Sequence, residues 1–148
     1  MKKKIMPTTC LFIALIAMLI LNYAFPIKKI ITFPFNLTGL IALGFGILIN
    51  LKADRQMSTH QTNVKPFQES SFLITDGAFA ISRNPMYLGF LAILTGVFLL
   101  LGSISTFIII IIFPILINHF YIRIEEKMLA ARFTSQWQTY KNKIRRWL

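Results

Sequence analysis

Acidic residues are scarce in this chain. Asp54, Glu69, Asp76, Glu125 and Glu126 are the complete set, against 16 Lys and Arg, for a net charge of +11. None of the five falls inside a long apolar run. A proton-coupled pump keeps an ionisable group near the bilayer midplane, so this absence argues against a small multidrug transporter. Cysteine is nearly missing: Cys10 alone excludes an intramolecular disulfide and any multi-cysteine zinc site. The two histidines, His60 and His119, lie far apart in sequence, so no metal site is expected. Internal repeats and low-complexity linkers are also lacking, and the 148 residues read as one domain, 1–148.

Apolar residues are in excess, at 55% of the chain, too many for an ordinary soluble domain of this size. A nucleic-acid binder spreads its basic charge over a soluble surface. Here the basic residues border apolar runs, as in a small membrane protein, and no nucleic-acid partner is expected. A bilayer core is crossed by about 20 mostly apolar helical residues. Four segments fit: Thr8–Phe25, closed by Pro26; Phe35–Leu51, with Ile30–Pro34 as a possible extension; Pro85–Leu101; and Ile104–Tyr121. The expected fold class is all-α, a multi-pass integral membrane bundle of about four helices with a cytosolic helical tail. Gly102-Ser103 leaves almost no loop, so the last two spans form a tight hairpin, and Pro114 is expected to kink the fourth. Met1–Lys4 before an apolar run also fits a signal peptide, but no small-x-small cleavage site follows. The residues before Cys10 make no lipoprotein cleavage site either.

With the N-terminus in the cytoplasm, Lys2, Lys3, Lys4, Lys52, Arg55, Lys65, Arg83, and the basic residues from Arg123 to Arg146 all fall inside. Only Lys28 and Lys29 fall outside. This bias puts both termini, the loop 52–82 and the tail 122–148 in the cytoplasm. The loop is polar and is expected to be mostly irregular, with Ser71–Thr75 resting on the membrane surface. In the tail, Trp137, Tyr140 and Trp147 suit the headgroup layer, and their basic neighbours suit anionic membrane lipid.

Three groups of residues can carry chemistry. The first is Ser82-Arg83-Asn84-Pro85-Met86-Tyr87-Leu88-Gly89. Pro85 is placed as the first helical residue, where a missing N–H costs nothing. Gly89 permits close approach of a backbone or ligand. The plainer reading makes Arg83 a snorkelling anchor and Tyr87 a belt residue. The second group is Asn118, His119, Arg123, Glu125 and Glu126. On a regular helix His119, Arg123 and Glu126 share one face, with Asn118, Ile122 and Glu125 as the neighbouring stripe. The plainer reading is a solvated helix with weak ion pairs. The third is the tail with Tyr140, Arg145, Arg146 and Trp147, whose plainer reading is lipid anchoring. Gly44 and Gly46 in the second span suit helix packing, and no Rossmann context surrounds them. Cys10 reads as inert packing.

Taken in order, Leu73–Gly77, Ser82–Gly89, a hydrophobic hairpin, Glu125-Glu126-x-x-Leu129, then Phe133, Tyr140 and Arg146 form a pattern. It resembles the isoprenylcysteine carboxyl methyltransferase and phospholipid methyltransferase superfamily, as a small bacterial-type member. The likeness covers about half the chain, and the first two spans match only in hydropathy. It implies an integral membrane enzyme that uses S-adenosylmethionine. It further implies cofactor contacts at Arg83, Asn84, Pro85, Tyr87, Gly89, His119, Glu125 and Glu126, with Gly44 and Gly46 as a Gly-x-Gly on the span before the loop. Arg83, Arg123 and Glu126 are the implied catalytic set.

Two positions depart from the pattern: Asn84 stands where His is commoner, and Thr134 stands where Gly usually follows Phe133. Asn cannot take a proton at neutral pH, so no mechanism through a base at position 84 is open. The implied partner is a lipidic or small membrane-accessible acceptor carrying a carboxylate, thiol or amine. The competing reading is a non-catalytic small membrane protein that binds lipid or a protein partner.

Overall fold

The computed structural model describes residues 6–25, 27–60 and 70–148. Among these the fold is helical throughout, and the only β contact is an isolated bridge between Lys29 and Ser103. Helix α1 runs Pro7–Ala24, α2 Thr38–Thr59, α3 Pro85–Leu101, α4 Ile104–Ile117 and α5 Arg123–Lys143. A π turn over Asn118–Ile122 fuses α4 and α5 into one continuous helix. Three stretches are long and apolar enough to cross a membrane: Pro7–Ala24, Phe35–Thr59 and Ile104–Lys143. Helix α3 is apolar but shorter, at 17 residues.

Helices α2 and α3 are held together by four glycines. A Cβ on Gly46 would lie 2.7 Å from the Gly89 carbonyl oxygen. A Cβ on Gly96 would lie 2.7 Å from the Gly39 carbonyl oxygen. The pairing of Gly39 with Gly96 and Gly46 with Gly89 makes the two helices antiparallel, with backbones too close for side chains. In lipid, where apolar burial gives helices no mutual attraction, such close packing is what binds them. On its other side α3 meets α1 and α4 in a core that includes Met18, Leu94, Phe113, Ile117 and Ile122. The outer faces of α1 and α2 expose Phe12, Ile16, Ile20, Ile41, Phe45 and Leu48, as lipid-facing helices do.

The α3–α4 connection is as short as its sequence demands. Gly102 takes a left-handed conformation, φ 66°, and its N–H closes on the Phe98 carbonyl at 2.8 Å. Its own carbonyl accepts from Ile30 N–H at 2.8 Å, which ties the α1–α2 loop to this end of the bundle.

The structure corrects one expectation here. Residues 52–59 are not irregular: α2 continues through them to Thr59. Gln56, on that extension, donates to the Asp76 carbonyl at 3.2 Å and accepts from Ala78 N–H at 2.8 Å, pinning the 3₁₀ turn Gly77–Ala80. Gly77, at φ 53°, is what lets the turn lie against that amide. Pro114 lies inside α4, and a π turn follows it from Asn118. The real break in the long helix is at Thr134, φ 34° and ψ −97°.

Candidate active site

The segment before α3 folds because its polar groups find partners in the far C-terminus. Pro85 is the first residue of α3, as expected, and Asn84 precedes it in a non-helical conformation. The Asn84 side chain does not cap the helix. Its Nδ2 donates to the Arg146 carbonyl at 3.1 Å, and Ser82 Oγ donates to the same oxygen at 3.1 Å. Arg83 N–H donates to the Arg145 carbonyl at 3.0 Å. The last residues of the chain thus lie across the start of α3.

Two carboxylates meet this platform, and each is held differently. Glu125 Oε1 accepts from Tyr87 Oη at 2.8 Å. Burial lifts the Glu125 carboxyl above the ordinary value of 4.5, and the Tyr87 hydrogen bond draws it partly back. Glu126 sits between two guanidinium groups. Arg83 Nη2 lies 3.0 Å from its Oε1, with the two side chains only 7% and 12% exposed. Arg146 adds a two-pronged contact, Nε to Oε1 at 3.1 Å and Nη2 to Oε2 at 2.5 Å. The Glu126 hydrogen bonds hold Arg146 more firmly protonated, against the opposing effect of burial. Arg83 Nη1 reaches the Lys141 carbonyl at 3.1 Å, and its charge lies 5.7 Å from the centre of the Trp137 ring. Arg83 Nε is buried and has no hydrogen-bond partner among the described residues.

Arg83, Asn84, Pro85, Tyr87, Glu125 and Glu126 are therefore brought together. The other candidates are placed elsewhere. His119 and Arg123 are exposed, and His119 packs its ring edge on Phe120 at 4.9 Å. His119 does not share a face with Glu126, because the π turn lies between them; Arg123 lies three residues before Glu126 in α5 and is exposed. A regular helix turns about 100° per residue, so a wider turn rotates everything beyond it. Asn118, and not His119, joins the Glu126 network: its Oδ1 accepts from Arg146 Nη1 at 3.1 Å. Gly46 and Gly89 face each other in the α2–α3 packing, and a Cβ on Gly44 would meet nothing within 4 Å.

The aromatic tail residues are a further correction. Trp137 and Tyr140 are buried, at 4% and 6% exposure, not set in a headgroup layer. Tyr140 Oη donates to the Phe79 carbonyl at 2.7 Å, and Trp147 packs on the main core. They dock the tail onto the loop. Cys10 is not wholly inert, since its Sγ shares a hydrogen bond of 3.3 Å with Tyr121 Oη.

Asn118 and Arg146, singled out in separate groups of the sequence, together complete the Glu126 network. One residue escaped the sequence reading. Asn50, on α2, packs where a Gly89 Cβ would sit; its Nδ2 returns to the Gly46 carbonyl at 2.8 Å. Its Oδ1 is buried without a partner among the described residues. The available signal was a polar amide at the edge of an apolar span, which costs free energy in lipid unless it is used.

A helical membrane protein with a buried ion network at one end of its bundle is the class these features define. Residues 35–136 match the model of the phospholipid methyltransferase family. The chain belongs to that family, whose members are membrane methyltransferases. It is 30% identical over 142 residues to the protein-S-isoprenylcysteine O-methyltransferase of Saccharomyces cerevisiae. That match covers 88% of this chain and 58% of the yeast protein, so the chain spans little more than half the length of that relative. It is also 43% identical over 63 residues, 43% of its length, to an uncharacterized protein of Haemophilus influenzae, all of which is covered. No solved structure matches it. The family match contains Arg83, Tyr87, Glu125 and Glu126, whereas Cys10 and Arg146 lie outside it.

Proposed function

We propose that the chain is an S-adenosylmethionine-dependent methyltransferase acting on a lipidic or small membrane-accessible acceptor. The observation that carries this reading is the convergence of Arg83, Tyr87, Glu125 and Glu126 at the start of α3, within the family-matched residues. The donor set fits the cofactor's amino-acid end, which carries one cation and one anion. Arg83 Nε is a buried donor with no partner among the described residues and suits the carboxylate. Glu125 and Tyr87 suit the ammonium or the ribose hydroxyls. Asn50 Oδ1, a buried acceptor beside Gly89, offers a further contact.

When bound, S-adenosylmethionine supplies a methyl group activated by its sulfonium. The protein's own task is alignment and exclusion of water, the dominant needs of an in-line displacement at carbon. The Arg83–Glu126–Arg146 network fixes the floor of the site, and Tyr87 fixes Glu125. A carboxylate or thiolate acceptor needs no base here. An amine acceptor must first lose a proton, and Glu125, with its raised affinity for protons, is the group that can take it.

The same reading has α3 crossing the membrane beside its three longer partners. Seventeen residues span about 26 Å, near the lower limit for a crossing. Four passes and the lysine and arginine bias argue for a cytoplasmic location of both termini and of residues 52–82. Labelling of Ser58→Cys in a Cys10→Ser background tests this. Reaction with an impermeant reagent applied outside sealed cells would refute it.

The direct test of the cofactor is a titration of detergent-purified protein with S-adenosylmethionine, read as heat and as a shift in melting temperature. Saturable binding is expected. A protein that shows neither heat nor shift has kept the fold without the activity.

A further inference from the structure

The two neighbouring carboxylates differ in what they have left to offer. Glu126 accepts from Arg83 through Oε1 and from Arg146 through both oxygens. All three guanidinium nitrogens of Arg146 are bonded: Nε and Nη2 hold Glu126, Nη1 holds Asn118 Oδ1, and its carbonyl is gripped by Ser82 and Asn84. Arg146 is thus fixed at both its backbone and its guanidinium. Arg83 is held at its backbone N–H, at Nη1 and at Nη2, but its Nε has no partner among the described residues. Among the described residues Glu125 accepts a hydrogen bond from the hydroxyl of Tyr87.

We propose that Arg146 is a positioning residue for the methyl-transfer site. It acts through Glu126, and the ligand-contacting pair is Arg83 Nε with Glu125. This rests on the functional reading above and divides the labour within it. Glu126 carries two cations, and its position is set by the rigid fork of Arg146. A carboxylate so held keeps the Arg83 guanidinium in one orientation and leaves the remaining N–H directed away from the pair. Arg146 lies beyond the family-matched residues, and the Asn118 contact that completes its hold exists because the π turn rotates that side chain into reach.

A double-mutant cycle on the full chain in detergent tests the proposal. Arg146→Gln, Glu126→Gln and the double variant are titrated with S-adenosylmethionine and with S-adenosylhomocysteine, and each is melted without ligand. Each single change is expected to weaken binding about tenfold, the loss of one charge-assisted hydrogen bond at Arg83. The double variant is expected to bind no worse than the weaker single one, because both changes remove the same constraint. Multiplying losses, about a hundredfold in the double variant, would mean that Arg146 touches the ligand itself and would overturn the proposal. Unchanged affinity in Arg146→Gln with a lowered melting temperature would overturn it too, leaving a purely structural tail contact. If Arg146→Gln does not fold, Arg146→Lys keeps the charge without the fork and serves in the same cycle. Failure of the wild-type chain to bind either ligand overturns the functional reading instead.

Discussion

Arg83 meets Glu126 across 3.0 Å with both side chains almost wholly enclosed, although one precedes the membrane hairpin and the other follows it. Removing Glu126 would leave Arg83 as a buried charge without its carboxylate, at a cost of about 3–5 kcal/mol. The pair therefore joins the central loop to the tail, and it separates the two roles open to Arg83. A snorkelling anchor needs only a positive head. Arg83 instead serves Glu126 and the Lys141 carbonyl from two different nitrogens of a planar fork, a geometry that a lysine's single nitrogen does not reproduce. Arg83→Lys is expected to insert and fold but to bind S-adenosylmethionine about tenfold to a hundredfold more weakly. Wild-type affinity in calorimetry would make Arg83 an anchor.

The glycines of the second span separate packing from ligand contact. Gly46→Ala places a methyl 2.7 Å from the Gly89 carbonyl oxygen and 2.9 Å from Ile93 N, so α2 and α3 must part. Gly44→Ala meets nothing within 4 Å and removes a helix-weakening glycine. The first variant should melt lower than wild type, and the second should melt at or above it with unchanged cofactor affinity. A loss of affinity in stably folded Gly44→Ala would restore a ligand role to that position.

Thr134 holds φ 34° and ψ −97°, a region that side chains with a branched Cβ avoid. Such strain is worth about 1–3 kcal/mol. Thr134→Gly should relieve it and raise the melting temperature by about 2–4 °C for each kcal/mol recovered. A lower melting temperature would show that glycine's greater freedom in the unfolded chain outweighs the relief.

Glu125 should make stability depend on pH. Its folded carboxyl holds a proton above the ordinary 4.5 because burial disfavours the charge. Below 4.5 the group is protonated whether folded or not, and its contribution is complete. As pH rises toward the folded value, the unfolded chain ionises first and stability is lost. Melting temperatures measured upward from pH 4 should fall in wild type and fall less in Glu125→Gln. Parallel curves would place Glu125 in water.

Much of this architecture was legible in the sequence. The apolar runs, the Gly102-Ser103 hairpin and Pro85 as the first residue of α3 follow from local rules of helix length and capping. Arg83, Tyr87, Glu125 and Glu126 were legible through an ordered pattern of motifs. What escaped depends on long-range docking. Trp137 and Tyr140 have the amphipathic character of headgroup residues, yet here they face Arg83 and Phe79, and no local rule distinguishes the two fates. The π turn at Asn118–Ile122 has no spacing signature, so the face shared by His119 and Glu126 existed only on an ideal helix. Arg146 could be recognised as a partner of Glu126 only once the tail was seen folded back across α3.

The measurement closest to the central claim is transfer of tritiated methyl from S-adenosylmethionine into membrane extracts by purified protein, with the labelled product identified. Wild type should label a lipidic or small membrane-accessible acceptor, and Arg83→Lys, equally folded, should label it far more slowly. Extracts that gain no label above a control without the protein would contradict the account.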